Sequence, residues 1–194
     1  MNITETDFAV LDFIQSNMRT GFGDVVMPMI TMLGNSGILW IIFCIVMICI
    51  PRFRRQGFVL FTTLGVNFVI YQFLLKGLIQ RPRPFVQNPD MLADLLIRAP
   101  KDSSFPSGHT SSGFCITAAL FYMRDRMKPV SWIWIPALAV CILIAFSRLY
   151  LYVHFPSDVL AGAAIGIFSG WFIPFLLYRI AARKKDIVRP CRPE

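Results

Sequence analysis

Apolar and polar positions in this chain fall in long blocks and not in the short alternation of strands. Five blocks of about 20 residues carry little or no charge, the length of helix that crosses a ~30 Å hydrocarbon core. They run over residues 29–50, 57–75, 105–123, 129–147 and 155–178. Thr31, Asn35 and Ser36 are the clearly polar positions of the first block, and Asp158 is the one charge of the fifth. Five such helices leave too little polar sequence to cover them in a soluble protein. The N-terminal segment, residues 1–24, has a different pattern. Phe8, Leu11, Ile14 and Met18 recur at helical spacing, with Asp7, Asp12 and Gln15 between them. That predicts an amphipathic helix on the membrane surface. It lacks the basic start and apolar run of a signal peptide. The expected fold is all-α: a polytopic membrane helix bundle of five transmembrane helices, or six if the N-terminal helix crosses, in one domain over residues 1–194.

Charge adds an orientation. Arg52, Arg54 and Arg55 separate the first two blocks, and Arg124, Arg126 and Lys128 separate the third and fourth. Arg179, Arg183, Lys184, Lys185, Arg189 and Arg192 follow the fifth, making residues 179–194 a basic tail. With alternating spans these groups share one side, which the positive-inside rule makes cytoplasmic. The net charge of +8 therefore calls for anionic lipid headgroups and for no nucleic-acid partner. The segments 76–104 and 148–154 face outward. Cys44, Cys49, Cys115 and Cys141 lie in apolar blocks and Cys191 in the tail, with no metal or redox spacing. They read as small packing residues.

The outward ends of the spans gather the polar chemistry. Lys76 closes the second block, Arg81-Pro82-Arg83-Pro84 follows, Pro106-Ser107-Gly108-His109 opens the third, Ser147-Arg148 closes the fourth, and His154 and Asp158 open the fifth. Ionisable groups at a span are costly and mark candidate sites. Lys76, Arg83 and Arg148 suit phosphate neutralisation, with arginine's planar fork matching two oxygens. Pro106 suits a helix start whose free N–H groups point at an anion. Gly108 allows close backbone approach, and the Ser107 hydroxyl adds a donor. His154 and Asp158, four apart, share a helix face. The carboxylate can fix the imidazole tautomer and leave the other nitrogen free to attack, while His109 supplies and then removes a proton. Arg98 and Lys101 read as headgroup anchors.

These residues resemble the three motifs of the type 2 phosphatidic acid phosphatases, the PAP2 superfamily. Lys, six residues, Arg-Pro is matched by Lys76 to Arg83-Pro84. Pro-Ser-Gly-His is matched by Pro106 to His109. Ser-Arg, five residues, His, three residues, Asp is matched by Ser147, Arg148, His154 and Asp158. The resemblance implies a phosphohistidine on His154, Asp158 as its partner, His109 as acid and base, and Lys76, Arg83, Ser107, Gly108 and Arg148 around the phosphate. It implies no metal and no cofactor, in keeping with a sequence that offers no cluster of carboxylates for Mg²⁺. Arg81 also precedes a proline, at the wrong spacing from Lys76. The resemblance further implies a bacterial membrane lipid phosphatase, with undecaprenyl diphosphate the first candidate. Phosphatidylglycerol phosphate, phosphatidic acid and transfer to another acceptor are the alternatives. In the loop 85–104 a short helix over 89–98 is expected, with Met91, Leu92, Leu95 and Leu96 lying on the outer leaflet and helping to admit a lipid tail. Oligomeric state is not legible.

Overall fold

A computed structural model describes residues 3–188, and Arg189, Cys191 and Arg192 of the expected tail lie outside them. The described residues form helices and no strand: α1 (Ile3–Asn17), α2 (Gly21–Leu33), α3 (Ile38–Cys49), α4 (Arg54–Val69), α5 (Lys76–Ile79), α6 (Pro84–Gln87), α7 (Gly108–Met123), α8 (Trp134–Tyr150) and α9 (Pro156–Val188). Among the described residues two helical stretches are long and apolar enough to cross a membrane, Pro51–Gln87 and Pro156–Arg183. The pair Gly21–Leu33 and Asn35–Cys49, bent by 41°, makes a third if counted as one span, and Trp134–Tyr150 is a shorter apolar helix. Large apolar side chains such as Phe58, Phe73, Leu160 and Phe168 are exposed on these helices, as a lipid-facing surface requires.

The first block is therefore not the single helix expected over 29–50. The chain breaks at Gly34-Asn35-Ser36-Gly37, where Ser36 and Gly37 have φ of 51° and 66°. Glycine carries that conformation without steric cost, and the break bends the span. In the second block a π-helical stretch, Ile70–Leu75, joins α4 to α5. The wider turn shifts the side-chain register. Lys76 is buried, while Leu74 and Leu78 on either side of it are exposed.

The long helices α7 and α9 lie closest together. A Cβ at Gly162, Gly166 or Gly170 would fall 2.6, 2.4 and 2.2 Å from the carbonyl oxygens of Ser107, Ser111 and Cys115. These small residues of the fifth block thus allow backbone contact between helices. Gly166→Ala is expected to lower the thermal midpoint in detergent, by ~1–3 kcal/mol of overpacking. An unchanged midpoint would mean the two helices can separate freely.

Two apolar clusters hold the bundle. One joins Trp40, Cys44, Leu60, Ile116, Leu120 and Ile144 inside the helices, and the other joins Leu11, Phe85, Leu151, Tyr152, Val153 and Phe155. At the end of the bundle beyond Met123 the basic loops meet. Arg52 donates to the Lys128 carbonyl at 2.7 Å, and Arg55 and Arg126 both stack on Tyr178.

The N-terminal helix turns most of its expected apolar stripe toward the protein and not toward lipid, with Leu11 and Ile14 buried and Phe8 packed on the second cluster. Asp7 is buried with them, while Ile3, Val10 and Phe13 are exposed. Gln15 donates to the Tyr150 carbonyl and Asp12 accepts from the Tyr152 hydroxyl. Polar groups thus face the protein as well. The physical reason is that the loops they meet carry polar groups needing partners. The helix expected over 89–98 is also absent. Pro89–Leu92 makes one tight turn, and Met91, Leu95 and Leu96 fold against the second cluster. So short a helix gains less than docking does, and Pro100 keeps Ala99 from extending it.

Candidate active site

The expected site residues come from four helix ends and two loops. Lys76, Arg83, Gly108, His109, Arg148 and His154 all line one cavity of about 1110 Å³. Part of its wall is apolar and includes Ile41, Phe61, Leu64 and Phe68.

Arg83 sits between the loop 99–104 and the loop 151–155. Its Nε donates to the Asp102 carbonyl at 2.8 Å, Nη2 to Asp102 Oδ1 at 2.7 Å, and Nη1 to the Val153 carbonyl at 2.7 Å. Nη1 also lies 3.1 Å from His154 Nε2. A guanidinium has no acceptor, so Nε2 meets it as a lone pair and the imidazole proton sits on Nδ1. His154 is 1% exposed. Burial, and then the charges of Arg83, Arg148 and Lys76, push its pKa well below the ordinary histidine value. The ring is therefore neutral, with its free electron pair directed at an arginine.

His154 and Asp158 do not share a helix face. His154 lies in the loop before α9, whose first residue is Pro156. Asp158 turns back to accept from the Phe155 backbone N–H at 2.9 Å, half of a capping box. The same oxygen, Oδ2, accepts from the Ser104 hydroxyl and lies 3.7 Å from His154 Nδ1. That gap exceeds a hydrogen bond, and Nδ1 has no partner among the described residues. The cap thus brings the carboxylate toward the imidazole proton.

Arg148 is 3% exposed. Its Nη1 donates to Thr31 Oγ1 at 2.6 Å, while Nε has no partner among the described residues. His109 Nε2 lies 3.0 Å from Asn35 Oδ1. Gly34 passes so close that a Cβ there would reach within 2.5 Å of the His109 ring. The kink in the first span therefore frames one histidine, and Thr31, one turn earlier, braces one arginine. These polar residues were visible inside an apolar block, but nothing local tied them to the site.

Ser107 behaves differently from the expectation. It is fully buried, caps α7 by accepting from the Thr110 N–H, and lies 2.9 Å from the Thr110 hydroxyl. It supports the helix start. Gly108 lines the cavity, but its close neighbour is the Tyr71 ring, 2.7 Å from where a Cβ would be.

Asp102 and Arg98 were not read as site residues. Asp102 accepts from both Lys76 and Arg83. Burial favours its neutral form, but Lys76 and Arg83 outweigh that and hold the carboxyl well below the usual carboxylate range. Arg98, read as a headgroup anchor, lines the cavity wall beside Leu96 and Ile97. Among the described residues no group of three or more His, Cys, Asp or Glu is placed to hold a metal ion.

Undecaprenyl-diphosphatase BcrC of Bacillus subtilis is 30% identical over 126 residues, 65% of this chain and 56% of that protein. The chain likewise matches only about half the length of several other curated relatives. Decaprenylphosphoryl-5-phosphoribose phosphatase of Mycobacterium tuberculosis is 33% identical over 138 residues, 71% of each chain. The crystal structure of a transmembrane PAP2 type phosphatidylglycerolphosphate phosphatase from Bacillus subtilis superposes with a TM-score of 0.71 at 25% identity, covering 98% of this chain and 89% of that one. Residues 55–182, which include Lys76, Arg83, His109, Arg148 and His154, match the PAP2 superfamily, and the chain belongs to it.

Proposed function

We propose that this chain is a membrane lipid phosphatase that passes a phosphoryl group through His154. The observation that carries the reading is the His154 Nε2 lone pair directed at Arg83, in a cavity shared with Lys76, Arg148 and His109. A phosphate held by these cations presents its phosphorus to Nε2. The P–N bond forms as the P–O bond to the lipid breaks, and His109 gives the leaving oxygen its proton. Water then attacks, His109 takes its proton, the P–N bond breaks, and free phosphate leaves. Asp158 stabilises the charge on the phosphorylated ring. Lys76, Arg83 and Arg148 neutralise the phosphate, so the reaction calls for no metal.

The apolar walls, Ile41, Phe61, Leu64 and Phe68, suit a lipid tail. Undecaprenyl diphosphate is the preferred substrate, supported by the likeness to BcrC. Phosphatidylglycerol phosphate is the nearest competitor, supported by the structural likeness, and phosphatidic acid shares the same phosphate. The chain crosses the membrane five times, through the bent α2–α3 pair, α4, α7, α8 and α9. Helix α1, with 15 residues or ~22 Å, is too short to cross and lies at the outer surface. The site is extracytoplasmic and the C-terminus cytoplasmic, supported by the gathering of Arg52, Arg55 and Arg126 at the opposite end.

The test is phosphate release by purified protein in detergent with EDTA, on all three lipids, with His154→Ala as control. Release by wild type alone supports the reading, and the best lipid sets the substrate. No release from a folded wild type refutes the hydrolase.

Two further results are expected. Only neutral His154 attacks, and its depressed pKa keeps it neutral into acid. The acid limb of kcat/KM, corrected for the substrate's own second phosphate ionisation near pH ~6, should fall below the ordinary histidine value of about 6.5. A limb at or above that value counts against His154 as the neutral attacking group. Asp102 is an internal anion on the two phosphate cations. A phosphate must displace it, so Asp102→Asn should tighten inhibition by inorganic phosphate about tenfold, equivalent to ~1.4 kcal/mol. Weaker inhibition would make Asp102 a brace for Lys76 and Arg83 instead.

A further inference from the structure

Arg81 is outside the motif spacing, yet it occupies a central place beside the site. Its Nη1 donates to Asp158 Oδ1 and to Ser157 Oγ, both at 2.7 Å, and its Nη2 donates to Asp7 Oδ2 at 2.7 Å. Asp7 belongs to α1 and also accepts from the Ser157 backbone N–H at 2.9 Å and from the Ser157 hydroxyl. The guanidinium lies 4.0 Å from the Phe155 ring centroid, and Phe8 of α1 packs edge-on against that same ring. Asp7 and Asp158 are both buried. Two buried carboxylates sharing one guanidinium leave it no freedom to wander, and neither stays charged at low cost without it.

The consequence falls on Asp158. Its Oδ1 is taken by Arg81, while Oδ2 accepts from Ser104 and the Phe155 N–H. Oδ2 lies 3.7 Å from His154 Nδ1. Arg81 therefore decides which carboxylate oxygen meets the imidazole and at what angle, and Asp7 decides where Arg81 sits. Arg81 does not line the cavity that holds Lys76, Arg83, Arg148 and both histidines. It reaches the chemistry through Asp158.

We infer that Arg81, clamped by Asp7 of the N-terminal helix, is a positioning residue that aims the Asp158 carboxylate at His154. The role rests on the proposed use of Asp158 by the nucleophile. It makes α1 a working part of the site and not only a helix at the surface.

The experiment compares wild type, Arg81→Ala, Arg81→Lys, Asp7→Asn, Asp158→Ala and the double variant Arg81→Ala/Asp158→Ala, all full-length in detergent and screened by thermal midpoint. A misplacement of ~1 Å at a reacting group can cost 10²-fold, so Arg81→Ala should lose about that much kcat while KM moves less than about threefold. Added guanidinium should restore part of the kcat of Arg81→Ala. Asp7→Asn, which keeps Arg81 but loosens it, should lose less, by about three- to tenfold, for the same reason. If Arg81 acts through Asp158, the double variant should be no slower than Asp158→Ala alone. Additive losses, a rise in KM with kcat intact, or failure of guanidinium to rescue a folded Arg81→Ala each overturn the role. Should Arg81→Ala not fold, the Asp7→Asn kcat decides: a value equal to wild type overturns it. An active wild type with an unaffected Arg81→Ala removes only this inference, whereas an inactive, folded wild type removes the proposed function and this role with it.

Discussion

Replacing His154 with alanine is expected to stop phosphate release, with a fall of at least ~10⁴-fold in kcat, the scale seen when a covalent nucleophile is deleted. The side chain is almost wholly enclosed, and its Nε2 faces Arg83, so truncation removes the nucleophilic atom from that position. The cations remain in the variant and still hold the lipid, so KM should change little while turnover collapses. A companion measurement separates a nucleophile from a base that merely activates water. Wild type quenched during turnover of ³²P-labelled lipid should carry acid-labile, alkali-stable label, as a phosphoramidate does, and His154→Ala should carry none. Slow turnover in the alanine variant above about a tenth of wild type would end the nucleophile reading, because that residual rate far exceeds what positioning and charge leave behind.

Arg83→Ala is the second large effect, an expected loss of about 10³-fold in kcat/KM, or ~4 kcal/mol. One guanidinium spans the Asp102 carbonyl, the Asp102 carboxylate, the Val153 carbonyl and the His154 lone pair. Its removal deletes a phosphate donor and unties both loops, leaving the Val153 oxygen unpaired in a buried position. Arg83→Lys keeps the charge but has no planar fork, and one ammonium cannot cover these directions at once. It should recover less than a tenth of wild-type kcat/KM. Full recovery in the lysine variant would show that charge alone matters at this position. Both variants need a thermal midpoint, since a lost loop brace lowers stability as well as rate.

Much of this was legible along the chain, for physical reasons. Long apolar blocks have one stable use, which is helices in lipid, and polar groups appear beside them only where something compensates their cost. Lys76, Arg83, His109, Arg148 and His154 stood out on that ground, and all line one cavity. The alternation of loops predicted that the basic ones share an end, and Arg52, Arg55, Arg126 and Lys128 do meet. The span-five glycines could likewise be read as allowing close helix contact.

What the sequence by itself determined was which residues lie at which helix ends, because hydrophobic length and local motif spacing are short-range properties. Which atoms then meet was decided by the tertiary structure. Thr31 and Arg148 are 117 positions apart, Asn35 and His109 74, and Asp7 and Ser157 150. No periodicity reaches that far. Even His154 and Asp158, only four apart, meet through a helix cap and not along a helix face. The burial of Asp7 and the partners that Asp12 and Gln15 of α1 find had the same cause. An amphipathic pattern shows two faces, but only the packed bundle decides which face finds partners and which meets lipid.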